Sequence, residues 1–248
     1  MNTKLLDKLV KNGNCFDKMN RVDLKYGLDV LVHEEGFGIR EYIASKGYCL
    51  DILVNDTSMD VRREVAKQGY GLNILVHDEE PAVRIEVARH GYGLDILIND
   101  TDPRVLVEVA RQGYGLDRLI HDSGAWVREA VARQGYGLDI LVHDDVFTVR
   151  AAVASQGYAL DVLVYSENKY IRRAVAQQGY GLNLLVRDED EGVRAVVAEQ
   201  GYGLEKLLYD EDVYVRMAVA KQGYGLNVLI KDRSALVREE VAKRGYHL

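Results

Sequence analysis

Two charged residue types recur along the chain at spacings that could serve chemistry. Aspartate stands at Asp56, Asp78, Asp100, Asp122, Asp144, Asp188, Asp210 and Asp232. Arginine stands at Arg40, Arg62, Arg84, Arg128, Arg150, Arg172, Arg194, Arg216 and Arg238, in a column six residues on from the aspartates. A carboxylate beside a guanidinium can serve an active site, but an active site needs one such pair and not a row of them. The arginines lie next to an apolar face, so each guanidinium is expected to be half buried and to need a partner. The aspartate of the same repeat or of the adjacent one is the natural candidate. The two columns therefore predict a ladder that sets the register of stacking, with no catalytic residue in it.

Histidine invites a metal reading. His33, His77, His121 and His143 share a column, but no cysteine or clustered carboxylate completes a ligand shell. A histidine at the end of a helix is favoured by the helix dipole alone. No metal and no cofactor is expected, and no GxSxG, Walker loop, CxxC or HExxH is present. The expectation is a protein that is not an enzyme. Six cations, Lys67, Arg89, Arg111, Arg133, Lys221 and Lys243, share another column, broken by Ser155, Gln177 and Glu199. Contact with a phosphate backbone is one use of such a stripe and a solvated helix face is the other.

The aromatic residues that do not repeat mark a different surface. Trp126, Tyr170 and Tyr214 occupy one column at every second unit, Phe147 lies one residue before it, and Tyr165 and Tyr209 share a column at the end of the short helix. Exposed aromatics at irregular positions suggest anchors for a partner; the alternative is that each covers its own neighbour. The segment Tyr165 to Arg173, YSENKYIRR, departs most from the pattern, with Ser166 in the aspartate column and Lys169 and Arg173 added. The binding surface is expected to centre there, on Trp126, Phe147, Tyr165, Lys169, Tyr170, Arg173, Tyr209 and Tyr214. Leu106, which interrupts the arginine column, marks a second departure.

The elements that carry these columns follow from a period. Glycine recurs every 22 residues at 47, 69, 91, 113, 135, 157, 179, 201, 223 and 245, each followed by tyrosine. A fixed period of this size is the signature of a solenoid whose units bury their apolar faces against one another. In the unit from 69 to 90, a short helix is read over roughly Leu72 to Val76 and a longer one over Pro81 to Arg89. Pro81 and Pro103 fit a first helical turn, the preceding column holds mostly good N-cap types, and the glycine ends the helix in a left-handed conformation. Val61, Val65 and Ala66, at offsets 0, 4 and 5, form one apolar face with their equivalents. Ala fills its column from Ala44 to Ala242, which suggests close helix–helix approach. The tyrosines read as a packed ladder along one edge.

The fold class expected is all-α, a right-handed α-solenoid of about ten 22-residue two-helix repeats. Residues 1–25 break the pattern and are read as an N-terminal helical cap through Leu5, Leu6, Leu9 and Val10, and residues 26–248 as one continuous repeat domain. The chain reaches Leu248 after a long helix, so an end-to-end homodimer is the alternative to a monomer. The net charge of -7 gives no general pull toward nucleic acid or anionic lipid. No window approaches 18 consecutive apolar residues, so no membrane span is expected, and the start lacks the long apolar run of a secretory signal. Cys15 and Cys49, the only cysteines, read as reduced thiols of a cytoplasmic protein.

The string D-x-x-x-x-V-R-x-x-V-A, as in Asp78 to Ala88 and Asp188 to Ala198, resembles two related families of α-helical repeats. One is the HEAT repeats, including short bacterial forms; the other is the leucine-rich repeat variant. The resemblance covers about nine-tenths of the chain. It implies a binding scaffold. Some leucine-rich repeat variant proteins carry a cysteine cluster for an iron–sulfur centre, which two cysteines cannot supply. HEAT-like DNA glycosylases use a basic groove, so a nucleic-acid-binding or repair protein is the second expectation. The first is a non-enzymatic scaffold that binds another protein on the aromatic surface of its C-terminal half. A self-assembling scaffold built by end stacking is the third.

Overall fold

The structure is a computed structural model that describes residues 32–33 and 37–246. The expected cap at residues 1–25 and Cys15 lie outside the described residues. Among those residues there are 19 helices and no strands, in strict alternation of long and short. The described residues form an all-helical repeat array. It divides into two compact units, one ending at Tyr114 and one starting at Gly115.

The first unit holds α1 (Phe37–Ser45), α2 (Leu50–Leu53), α3 (Met59–Lys67), α4 (Leu72–Leu75), α5 (Pro81–Arg89), α6 (Leu94–Leu97) and α7 (Pro103–Arg111). The second holds α8 (Leu116–Leu119), α9 (Ala125–Arg133), α10 (Leu138–Leu141), α11 (Phe147–Ser155), α12 (Leu160–Leu163), α13 (Lys169–Gln177), α14 (Leu182–Leu185), α15 (Glu191–Glu199), α16 (Leu204–Leu207), α17 (Val213–Lys221), α18 (Leu226–Leu229) and α19 (Ala235–Ala242). Within each unit every long helix packs on the next long helix, and the short helices bridge them.

Local chemistry fixes these lengths. At the end of α3 the amide of Gly69 donates to Ala66 O at 2.8 Å and that of Tyr70 to Val65 O at 3.3 Å. This is the Schellman ending, and it needs the left-handed φ of +73° that Gly69 adopts. A second left-handed residue follows at Gly71, with φ +62°, and starts the four-residue α4. A Cβ on Gly71 would stand 2.4 Å from Val54 Cγ2, so both backbone angle and close approach select glycine. Cys49 and Ala159 fill the equivalent position with φ of 51° and 52°. The glycine that precedes each tyrosine marks the first left-handed column, and this second column lies two residues on.

The core is the valine, alanine and leucine lattice. Val61, Val65 and Ala66 are fully buried, as are Val193, Val197 and Ala198 in the second unit. Alanine is 0% exposed at 44, 66, 88 and 110 and again at 132, 154, 176, 198 and 220, leaving no room for a larger side chain. Each buried valine or leucine contributes about 1.5–3 kcal/mol against exposure.

The Arg/Asp ladder is realised across repeats. Arg62 Nε donates to Asp78 Oδ2 at 2.6 Å and Nη2 to Asp78 Oδ1 at 2.9 Å, sixteen residues ahead. Its Nη1 donates to the Asp56 carbonyl of its own repeat at 2.8 Å. The same arrangement holds for Arg84, Arg172, Arg194 and Arg216. The two partners left open by the sequence are both used, carboxylate from the next repeat and carbonyl from the same one. These arginines are more deeply buried than half; Arg216 is 5% exposed. The aspartate also caps the turn, since Asp188 Oδ1 accepts the Asp190 amide at 2.9 Å.

A second ladder was not read from the sequence. Gln68 Nε2 donates to Ser45 O at 3.1 Å, 23 residues back, and Gln178, Gln200 and Gln222 do the same to Ser155, Gln177 and Glu199. His90 takes this place with Nε2 3.1 Å from Lys67 O. These side chains satisfy carbonyls at the C-terminus of the preceding long helix, which lack intrahelical partners.

Candidate functional site

Four of the irregular aromatics, Trp126, Phe147, Tyr170 and Tyr214, stand at the N-terminal turns of long helices of the second unit. Tyr170 and Tyr214 are second residues of α13 and α17, held by caps. Asn168 Oδ1 accepts the Tyr170 amide at 2.9 Å, and Asp212 Oδ1 accepts the amides of Tyr214 at 2.8 Å and Val215 at 3.2 Å. Between these two tyrosines the same helical position on α15 is Gly192. A glycine there removes the side chain that would separate them. The result is a groove of about 410 Å³, large enough for a few side chains of a partner, over α13, α15 and α17.

Gly192, Ala195, Val196 and Ala218 line the groove with small side chains, Tyr170, Tyr214 and Met217 add larger apolar ones, and Lys169, Arg173, Asp190, Glu191, Glu199 and Lys221 bring three cations and three carboxylates. Tyr170 is 53% and Tyr214 57% exposed, so each offers most of a ring to a partner. Phe147, first residue of α11, stacks on Tyr170 with ring centroids 5.6 Å apart and planes at 24°, which fixes the Tyr170 ring from behind. Lys169 Nζ lies 5.7 Å from the Tyr170 ring centroid and 2.9 Å from Asp190 Oδ2. The Lys169 ammonium holds the Asp190 carboxyl below the usual carboxylate range, and Asp190 in turn raises Lys169. Both are therefore charged at neutral pH and neutralise each other at the rim.

Of the eight expected residues, the structure brings five together: Lys169, Tyr170, Arg173 and Tyr214 in the groove lining, with Phe147 stacked behind Tyr170. Trp126 on α9, 69% exposed, and the turn residues Tyr165 and Tyr209, 73% and 71% exposed, lie outside that lining. They are the most exposed large apolar side chains of the described residues. The sequence reading missed Gly192, Ala195 and Glu199. A glycine between two tyrosines in one column was the available signal.

Most of the basic column is paired along its own helices. Arg89 meets Glu86 at 2.8 Å, Arg111 meets Glu108 at 3.1 Å, Arg133 meets Glu129 at 2.5 Å, and Lys67 meets Glu64. Lys243 pairs with Glu240 at 3.2 Å. His33, His77, His121 and His143 are all exposed. Among the described residues no three His, Cys, Asp or Glu side chains converge as a metal site, and no helix is long and apolar enough to cross a membrane. No protein-family model matches this chain, and comparison with curated proteins finds no match.

Proposed function

We propose that this protein is a non-enzymatic scaffold that binds another protein through the groove over α13, α15 and α17. The observation that carries the reading is the pairing of Tyr170 and Tyr214 across Gly192, two exposed rings flanking a floor of small side chains. Aromatic anchors beside a small-residue floor match the composition of protein interface centres, and paired charges at the rim supply orientation. Trp126 extends the exposed aromatic surface on the same unit.

The pairing of five stripe cations with carboxylates three or four residues earlier favours this reading over the nucleic-acid alternative, because a paired cation releases fewer counterions on phosphate. The Asp, Val-Arg and Ala columns support membership of the HEAT-like or leucine-rich repeat variant class, whose members are mostly binding scaffolds, and the scarcity of cysteine supports a cytoplasmic setting.

The test is affinity capture from the source cell, with mass spectrometry of what is held. Tyr170→Ala is expected to release the partner while far-UV circular dichroism and the melting temperature stay unchanged. A partner retained equally by Tyr170→Ala and Tyr214→Ala would overturn the reading, as would a gel shift on duplex DNA at low salt with no protein partner.

A further inference from the structure

The ladder changes at one rung of the second unit. Sixteen residues after Arg150 stands Ser166, where the other paired arginines find an aspartate. Arg128, Arg172, Arg194 and Arg216 each hold a carboxylate through Nε at 2.6–2.8 Å and through Nη2 at 2.8–3.0 Å. Arg150 keeps only the third contact, Nη1 to the Asp144 carbonyl. It forms no salt bridge among the described residues. Ser166 Oγ accepts the Asn168 amide at 3.2 Å, which preserves the turn but supplies no charge. An open pocket of about 460 Å³, lined by Arg150, Ser166, Glu167 and Asn168, lies at this point.

We infer that Arg150 and Ser166 form a binding site for a carboxylate. The guanidinium is oriented by Asp144, and its Nε–Nη2 edge presents the planar fork that takes an aspartate elsewhere in the ladder. The incoming group is the same chemical species, supplied by a ligand instead of by residue 166. Glu167 sets the selectivity. Its equivalents Asp145, Glu189 and Glu211 lie 3.5, 3.2 and 3.9 Å from the ladder guanidinium, beside the aspartate. A carboxylate at that position repels a bulky polyanion such as phosphate more than a singly charged carboxylate, and it competes weakly for Arg150.

Acetate is the probe, titrated against chloride at equal ionic strength, with the Nε–H resonances of the arginines followed by NMR. A single charge-assisted bidentate contact gives a dissociation constant of about 10–100 mM. The Arg150 resonance is expected to move saturably with acetate while those of Arg172, Arg194 and Arg216 stay fixed. Ser166→Asp, which restores the residue found at the other rungs, is expected to shift Arg150 to the position of the paired arginines and to abolish its response. Glu167→Gln is expected to tighten acetate binding several-fold. An Arg150 resonance that ignores acetate, or that responds equally in Ser166→Asp, overturns the inference. A peptide ending in aspartate, compared with free acetate, tells whether the carboxylate comes from a protein chain or a small acid: at least tenfold tighter peptide binding assigns a protein source, and equal binding a small acid. None of these readouts depends on a partner in the groove.

Discussion

Arg172 reaches Asp188 across one full repeat, with Nε 2.7 Å from Oδ2 and Nη2 2.8 Å from Oδ1, while its Nη1 donates to the carbonyls of Ser166 and Glu167 at 2.9 Å each. Nη2 also donates to Glu189 Oε1 at 3.2 Å, so all five hydrogens of the guanidinium are directed at acceptors at or near this junction. Removing the carboxylate leaves a buried cation with half its partners. Asp188→Ala is expected to cost about 3–5 kcal/mol, read as a fall in the urea midpoint at constant slope. Glu189→Ala, which removes an 84% exposed carboxylate from the same arginine, is expected to cost under about 1 kcal/mol.

The ladder also sets the response to acid. Burial pushes Asp144 and Asp232 up, but hydrogen bonds from Arg128 and Arg216, with the amides of Val146 and Ser234, outweigh it and hold both below the usual carboxylate range. A carboxyl whose folded value lies below its unfolded value of about 3.9 adds stability above that value and loses it as pH falls through the folded one. The melting temperature is expected to be level from about pH 7 to 5 and to drop steeply below about pH 4. Asp144→Asn is expected to lower it at neutral pH and to flatten the acid limb, as differential scanning calorimetry would record.

Much of this was legible beforehand because it is local and periodic. The Val, Val, Ala offsets fix a buried face, and Gly69 with Tyr70 fixes a helix end, from neighbours within one turn. The direction of the arginine contacts was not legible. Asp56 lies six residues before Arg62 and Asp78 sixteen after, and only the stacking of units decides which supplies carboxylate and which supplies carbonyl. The glutamine ladder is not legible in the sequence because an amide at a helix end has many uses, and its acceptor lies 23 residues back. The groove depends on what Gly192 lacks, which matters only once Tyr170 and Tyr214 flank it in space.

The second left-handed position offers a paired test. Gly181 has φ +64°, and a Cβ there would stand 2.6 Å from Val164 Cγ2. Gly181→Ala is expected to destabilise by about 2–4 kcal/mol, from the backbone conformation and from crowding together. Ala159 already bears that conformational cost at φ 52°. Ala159→Gly is expected to gain roughly 0.5–1 kcal/mol, the relief of the left-handed angle being partly offset by a freer unfolded chain. Denaturant titration of both variants checks the opposite signs.

Filling the groove separates binding from folding. Gly192 lies on α15 with no positive φ, and the equivalent positions of the neighbouring long helices carry tyrosine. Gly192→Tyr is therefore expected to fold with full helical signal and to reduce partner capture at least tenfold. Unchanged capture would place the contact surface elsewhere, with Trp126 the next residue to substitute.

Both ladders span one unit and stop. If residues 181–202 were excised and the ends rejoined, Arg172 would find the carboxylate of Asp210 at the distance where Asp188 had been, and Gln222 would count 23 residues back to Gln177 instead of Glu199. An excision of 21 or 23 residues would strand both. The protein's length is thereby quantised: insertions and deletions are expected to be tolerated only as whole multiples of 22 residues, a rule written into side-chain reach as well as into the backbone.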